Sequence, residues 1–414
     1  MSSKYDYVIS SKNGEDIIEV KNSEEFLSWY LKEKPFCKNI KFINVDSNIK
    51  NLYLFLNYYS NVLNNIEKGV DKYNKELSND DNNFIKEALD CFIYSNSGGK
   101  FLRASLCALG YHSMGMSDDD YLPLSIALEI FQTSILIHDD IIDIADKRRG
   151  KDTIPVRYKK LYKDINIDDY DIIKGHVSNS MALCLGDLGF YLCNQQIVKN
   201  YSNNPRLPLV LEYFNDIAIK TCKGEMIDVI LPFTEKYYGT DNLEGNILEI
   251  FKLKTAWYSV IGPYVLGCIL GGIDKNKIHI LEEALVGLGI AFQIKDDILG
   301  IYGDEKKIGK SISSDAEEFK QTLLYSFAKN TKYKDDLFKI YGKKNINNKD
   351  MDDIRRIFDE SGAKDYSLKM IDKLFLNSIN LITNIDFLDD EHKNILLGFA
   401  EFLKVRNKWK RNFL

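Results

Sequence analysis

Three aspartates, Asp139, Asp140 and Asp143, close the apolar stretch SIALEIFQTSILIH. Asp139 and Asp143 are one helical turn apart, so their carboxylates share a face with side chains about 6 Å apart. The macrodipole disfavours anions at a helix C-terminus, so such a cluster calls for a neutralising cation. A solvated acidic helix end would show the same pattern. Oxygen ligands without His or Cys point to Mg²⁺, which binds one or two carboxylates together with substrate phosphates. A second pair, Asp296-Asp297, ends another apolar stretch, LEEALVGLGIAFQIKDD. Two acidic clusters facing each other inside a helical bundle, where metal sites are built, need divalent cations and a polyanion between them.

The cationic residues match that need. Lys100 and Arg103 stand one turn apart after the flexible Ser97-Gly98-Gly99, spaced to grip a diphosphate. Arg148-Arg149-Gly150 follows the first acidic cluster, and guanidinium forks match phosphate oxygens bidentately. Lys254-Thr255 and Gly309-Lys310 add donors. Each basic motif alone reads as ordinary surface. Their order, GGKxxR, DDxxD…RRG, KT, FQxxDD and GK, is what carries information. No Cys–His or Ser–His pattern offers a side-chain nucleophile. The seven cysteines show no CxxC pair and read as reduced thiols of a cytoplasmic protein, not a zinc or disulfide frame.

These residues need elements to hold them. The 414-residue chain is 45% hydrophobic and 28% charged, enough for a large core, and its net charge of −6 argues against a nucleic-acid partner. Apolar residues recur at helical spacing from about Leu52 onward, including the runs 121–143, 177–199, 208–230, 245–272, 278–300 and 315–329. The fold class is therefore all-α, a large helical bundle around a central cavity over residues 51–414. Residues 1–50 read as a small appendage of mixed α and β character. Alternation around Asn13-Gly14 signals a hairpin, and Asn22 with Glu25 resembles a capping box that opens a helix ending before Pro35. The acidic N-terminus lacks the apolar region of a secretory signal. Ala256 to Ile273 is charge-free and about long enough to span a bilayer. It reads instead as a helix buried on all sides, with no transmembrane segment. The polar stretch 330–350 reads as a solvated helix–loop connection, and the basic Lys404 to Arg411 as a solvated helix end rather than a phosphate clamp.

The ordered motifs resemble those of the trans-isoprenyl (polyprenyl) diphosphate synthase family over roughly residues 55–330. LIHDDIIDIADKRRGKDTIP and AFQIKDDILGIYGDEKKIGKSISSDAEEFKQT look like its two aspartate-rich regions, with CLGDLGF and KGEMIDV like its intervening helices. The resemblance implies that Asp139, Asp140, Asp143, Asp296 and Asp297 hold Mg²⁺ on an allylic diphosphate. It implies that Arg148, Lys254 and Lys310 hold that diphosphate directly, and that Lys100, Arg103, Arg149 and Gln132 bind isopentenyl diphosphate. Thr255 and Gln293 would line the reacting carbons. A homodimer is expected from the resemblance alone.

Three positions depart from the family pattern. Gly300 replaces the third aspartate of the second motif, with Asp304 nearby; Glu225 replaces a Gln ahead of Asp228; and Ala104 replaces a usual proline. Chain length is expected to depend on the helix below the first cluster. Short-chain members often place an aromatic five residues before the first aspartate, where this chain has Ser134, followed by Ile135; the nearest aromatic is Phe131. A product longer than fifteen carbons is expected, the twenty-carbon geranylgeranyl chain above all. A class I terpene cyclase shares the fold and a first DDxxD. Its second motif would fall on Ile217, Thr221 and Glu225, the first of which is not a ligand type. A regulatory subunit of a heteromeric synthase would be expected to lose residues that this chain retains.

Overall fold

A computed structural model describes residues 8–12, 15–19, 22–33, 40–42, 46–162, 173–303 and 312–406. Near the N-terminus, β1 (Val8–Lys12) pairs antiparallel with β2 (Glu15–Glu19), which pairs parallel with β3 (Ile40–Phe42). The expected turn at Asn13-Gly14 lies outside the described residues. α1 (Ser23–Glu33) starts where Asn22 Oδ1 accepts the Glu25 N–H at 3.0 Å, which satisfies one of the orphan donors of a helix start. Its Phe26, Trp29 and Tyr30 are buried, and Phe26 and Tyr30 meet the edge of the Tyr53 ring.

The body is helical, as the periodicity predicts. α2 (Ser47–Leu77) is capped by the Asp46 carboxylate, which accepts the Asn48 N–H at 2.9 Å. It buries Ile49, Leu52, Leu56, Tyr59, Val62 and Ile66, one stripe at steps of three and four. α3 (Asn83–Asn96), α4 (Leu102–His112) and α5 (Leu122–Ile142) follow. A two-residue hairpin of β4 (Lys147–Arg148) and β5 (Lys151–Asp152) leads to α6 (Ile154–Leu161). α7 (Ser178–Tyr201) and α8 (Leu207–Tyr238) come next. The helical stretch Leu243–Gly271 changes character along its length: α9 (Leu243–Ile250), a π-helical run (Phe251–Ile261), then α10 (Gly262–Gly271). α11 (Ile278–Tyr302) precedes α12 (Ser314–Glu317), α13 (Leu323–Ala328), α14 (Lys334–Ile340), α15 (Asn348–Glu360), α16 (Ala363–Thr383) and α17 (Asp390–Val405).

Two helices hold the centre. α5 packs between α4 and α7, and α11 packs against α16 and the π-helical run. Both are apolar on most sides, which is why their acidic ends stand out in the sequence. The charge-free run is a core helix. Among the described residues this helix alone is long and apolar enough to cross a membrane, and 83% of its most apolar window is buried. A Cβ on Gly267 would lie 2.0 Å from the Cys107 carbonyl oxygen, and one on Gly110 would lie 1.9 Å from that of Tyr264. α4 and α10 thus touch backbone to backbone, and only glycine permits that approach. One local expectation changes. The run 315–329 is broken at Phe319, whose φ of 56° interrupts the helix between α12 and α13. The polar 330–350 stretch carries α14 as the helical part of the expected connection, anchored by the fully buried Leu337.

Candidate active site

A cavity of about 500 Å³ opens where the acidic end of α5 meets α8, the π-helical run and α11. Ile135, Leu136, Asp139 and Asp143 line it from α5; Glu225 and Asp228 from α8; and Lys254, Thr255 and Tyr258 from the π-helical run. Arg148, Gln293, Asp315 and Lys320 complete the polar wall. Asp139, Asp143, Arg148, Lys254, Thr255 and Gln293, all singled out in the sequence, therefore meet on one cavity.

Arg148 reaches the cluster because of its hairpin. Arg149 (φ 55°) and Gly150 (φ 77°) are both left-handed, as a type I′ turn requires. The turn folds Arg148 back so that Nη2 donates to Asp139 Oδ2 at 2.6 Å and Nε donates to Asp140 Oδ1. Asp140 is buried, and burial pushes its carboxyl up to about 6 although Arg148 pulls it back. Lys254 Nζ lies 2.6 Å from Asp228, 2.8 Å from Glu225 and 3.3 Å from Asp139. Burial works against its charge, yet Asp139, Asp228 and Glu225 together hold it far above the ordinary lysine range. Burial, aided by Asp139 and Asp228, also raises the Glu225 carboxyl.

On the opposite wall Thr255 Oγ1 donates to Gln293 Oε1 at 2.8 Å, and Gln293 Nε2 donates to Asp297 Oδ1 at 2.9 Å. Lys320 Nζ donates to the same Asp297 oxygen at 3.1 Å and lies 4.0 Å from Asp315. Burial raises the Asp297 carboxyl to about 6, against the pull of Lys320. Asp296 points elsewhere and takes Arg406 Nη2 at 3.0 Å. That departs from the expected solvated basic end at Arg406, which is largely buried and stacks 3.8 Å over Phe292, whereas Lys404 is exposed and residues 407–411 lie outside the described residues. Gly309-Lys310 and Asp304 lie outside the described residues.

Lys100, Arg103, Gln132 and Arg149 do not line the cavity; Lys100, Arg103 and Arg149 gather at the α3–α4 turn, and Gln132 is buried on α5. Gly98 (φ 78°) and Phe101 (φ 51°) bend that turn, and Tyr59 donates its hydroxyl to the Lys100 carbonyl. Lys151 ties the hairpin to it by donating to the Ser97 and Tyr94 carbonyls at 3.0 and 3.2 Å. Arg103 donates to Ser259 at 2.6 Å. The buried Glu129 accepts the Ala104 N–H at 3.2 Å. An Arg149 guanidinium nitrogen and Glu129 Oε2 both lie 3.4 Å from where a Cβ on Gly99 would stand. Phe131 is buried below the cavity among Phe214, Phe190 and Tyr258, with ring centroids at 5.1, 5.7 and 6.5 Å. Ser134 is fully buried, its hydroxyl bonded to the Ile130 carbonyl at 3.0 Å, while Ile135 faces the cavity.

Sequence reasoning missed Lys320 and Asp315. Nothing in EEFKQT distinguishes its lysine from a surface residue until the break at Phe319 turns it inward. Asp228 and Glu225 were legible as acids near the site, but not as the partners of Lys254. A divalent metal is implied by this all-oxygen donor set. Asp297 Oδ2 is buried without a hydrogen-bond partner, the kind of atom a hard cation would satisfy. No group of three ligand-type side chains among the described residues stands at metal-binding separation, since Arg148, Lys254 and Lys320 hold the carboxylates. The residues fit the metal chemically.

Residues 84–359 match the polyprenyl synthetase family. A geranylgeranyl diphosphate synthase of Sulfolobus acidocaldarius is 25% identical over 359 residues, covering 86% of this chain and 99% of that protein. A short chain isoprenyl diphosphate synthase of Methanocaldococcus jannaschii is 29% identical over 259 residues, 62% of this chain and 71% of that protein. Among solved structures, a Corynebacterium glutamicum geranylgeranyl pyrophosphate synthase complexed with isoprenyl diphosphate and magnesium superposes with a TM-score of 0.72. It is 21% identical and spans 84% of this chain and 99% of its own, which establishes the shared all-α isoprenoid synthase fold.

Proposed function

We propose, for a chain that belongs to the polyprenyl synthetase family and is thereby a trans-prenyltransferase, that this site condenses isopentenyl diphosphate with an allylic diphosphate head to tail. The observation that carries the reading is the meeting on one cavity of Asp139, Arg148, Lys254, Thr255, Gln293 and Lys320, the last two bonded to the buried Asp297. Asp139, Asp140, Asp143 and Asp297 would hold Mg²⁺, and Asp296 would join them on release from Arg406. When bound, the metal supplies positive charge that stabilises the departing diphosphate. Arg148, Lys254 and Lys320 add fixed positive charge aimed at the same leaving group, which lowers the cost of breaking the allylic C–O bond. Lys310 joins them in this reading. The Thr255 hydroxyl and Gln293 carbonyl present oxygen dipoles toward the allylic carbon, where positive charge develops.

Lys100, Arg103, Arg149 and Gln132 would hold isopentenyl diphosphate so that its double bond lies within reach of that carbon, converting an encounter into an intramolecular step. The lost proton passes to the departing diphosphate. Ile135, Leu136, Ile250 and Phe251 give the cavity apolar walls that keep water from the cation. The cluster of Phe131, Phe190, Phe214 and Tyr258, one turn below Ile135, would be the floor that limits the growing chain. The small Ser134, where short-chain members often place an aromatic, supports the twenty-carbon geranylgeranyl diphosphate as product. Residues 1–50 would be an appendage without chemistry of its own, and the enzyme would work in the cytoplasm. A homodimer is supported by an exposed apolar stripe on α8 comprising Ile219, Met226, Ile230, Phe233 and Tyr237. The test is incubation with isopentenyl diphosphate, Mg²⁺ and separate allylic primers, with products sized by mass spectrometry. Failure to condense with every primer would remove the assignment.

A further inference from the structure

Arg103 and Lys254 belong to different subsites in the reading above, yet one element touches both. The π-helical run carries Lys254 and Thr255 toward the allylic side and, within its next residues, Tyr258 and Ser259 toward Arg103. The Arg103 guanidinium lies 4.3 Å over the Tyr258 ring and donates through Nη2 to Ser259 Oγ at 2.6 Å. Its Nε is buried without a partner. Ser259 is itself buried at 4% exposure, so its hydroxyl answers to the protein interior rather than to solvent. At the other end, the Ala104 N–H bonded to Glu129 pins the backbone next to Arg103. A long side chain with this much rotamer freedom is thus held at its root and at its tip.

The geometry points to Ser259 as a positioning residue that fixes the Arg103 guanidinium for the isopentenyl diphosphate and links its placement to the element bearing Lys254. The inference rests on the reading that Arg103 grips that diphosphate. Without the hydroxyl, the guanidinium keeps the ring face but loses the contact that sets its rotation. Affinity for isopentenyl diphosphate then falls while the allylic side is untouched. For Ser259→Ala the KM for isopentenyl diphosphate should rise about tenfold, the scale of one hydrogen bond to a charged group. The KM for the allylic primer and kcat at saturating isopentenyl diphosphate should stay within about twofold, because the group acts on binding alone. Ser259→Thr, which keeps the hydroxyl, should restore the lower KM. Arg103→Ala should raise the KM further, and adding Ser259→Ala to it should change nothing more, since the serine acts through the arginine. An unchanged KM in Ser259→Ala beside a raised KM in Arg103→Ala would overturn the inference and leave the site reading standing. So would effects that multiply in the double variant, or an equal fall in kcat/KM for both substrates. An unchanged KM in Arg103→Ala would overturn both.

Discussion

Gly300 stands where the second aspartate-rich motif would have its third carboxylate, and the structure gives the reason a definite sign. It lies within α11, where glycine costs about 1 kcal/mol relative to alanine. Helix propensity alone therefore predicts that Gly300→Ala stabilises the fold by about 1 kcal/mol. A Cβ at that position, however, would fall 2.5 Å from Asp315 Oδ2, well inside van der Waals contact. Asp315 is 8% exposed and 4.0 Å from Lys320, which in turn holds Asp297. The carboxylate cannot swing aside without loosening that chain. Overpacking of this kind costs about 1–3 kcal/mol, so the net expectation is destabilisation of about 1 kcal/mol. Gly300→Asp would add a charge about 5 Å from Asp315, a further ~3 kcal/mol at an effective dielectric near 20 without metal. Denaturant titration with chelator present measures both, with unchanged m-values marking a stability effect. If Gly300→Ala came out more stable than the parent, Asp315 would not be constrained and the reasoning would fail.

Two further outcomes follow from the site. Asp140 and Asp297 are each raised to about 6, mainly by burial, so binding a metal–diphosphate pair at pH 6 should release roughly one proton, and close to none at pH 8. Affinity should weaken as pH falls through 6. The metal-free fold should instead lose stability as pH rises from about 4 to 6, because the folded state binds the extra protons there. Calorimetry in buffers of differing ionisation enthalpy counts the protons, and equal counts at the two pH values would contradict the burial argument. Phe131→Ala should cost about 3–5 kcal/mol through its cavity and lengthen the product. An unchanged product from a folded variant would place the floor on another helix.

The helices and the order of charged motifs were legible because each rests on local periodicity or spacing. Asp139 and Asp143 share a helix face by arithmetic alone, whereas the Arg149-Gly150 turn was not read, because an arginine does not announce a left-handed backbone. Lys320 was not legible, because its approach to Asp297 depends on the left-handed Phe319 and the break between α12 and α13. Arg406 was misread for a related reason. A cation after a helix end is usually solvated, but this one finds both the Phe292 ring and Asp296. The π-helical run was hidden as well, since AWYSVIGPYVLGCILGGI shows buried apolarity without revealing how its backbone winds.

Lys254 sits among three carboxylates, and Arg148 spans two. This makes ligand entry an exchange of partners. A diphosphate alone would have to draw Arg148 and Lys254 away from their acids, stranding buried negative charge. A divalent cation alone would have to evict those same side chains without giving them an anion. Arriving together, each satisfies what the other displaces. Cation and substrate should therefore bind with strong mutual cooperativity, each raising the other's affinity by the same factor. The idle enzyme carries its own stand-ins for both, a lock whose two keys turn only as a pair.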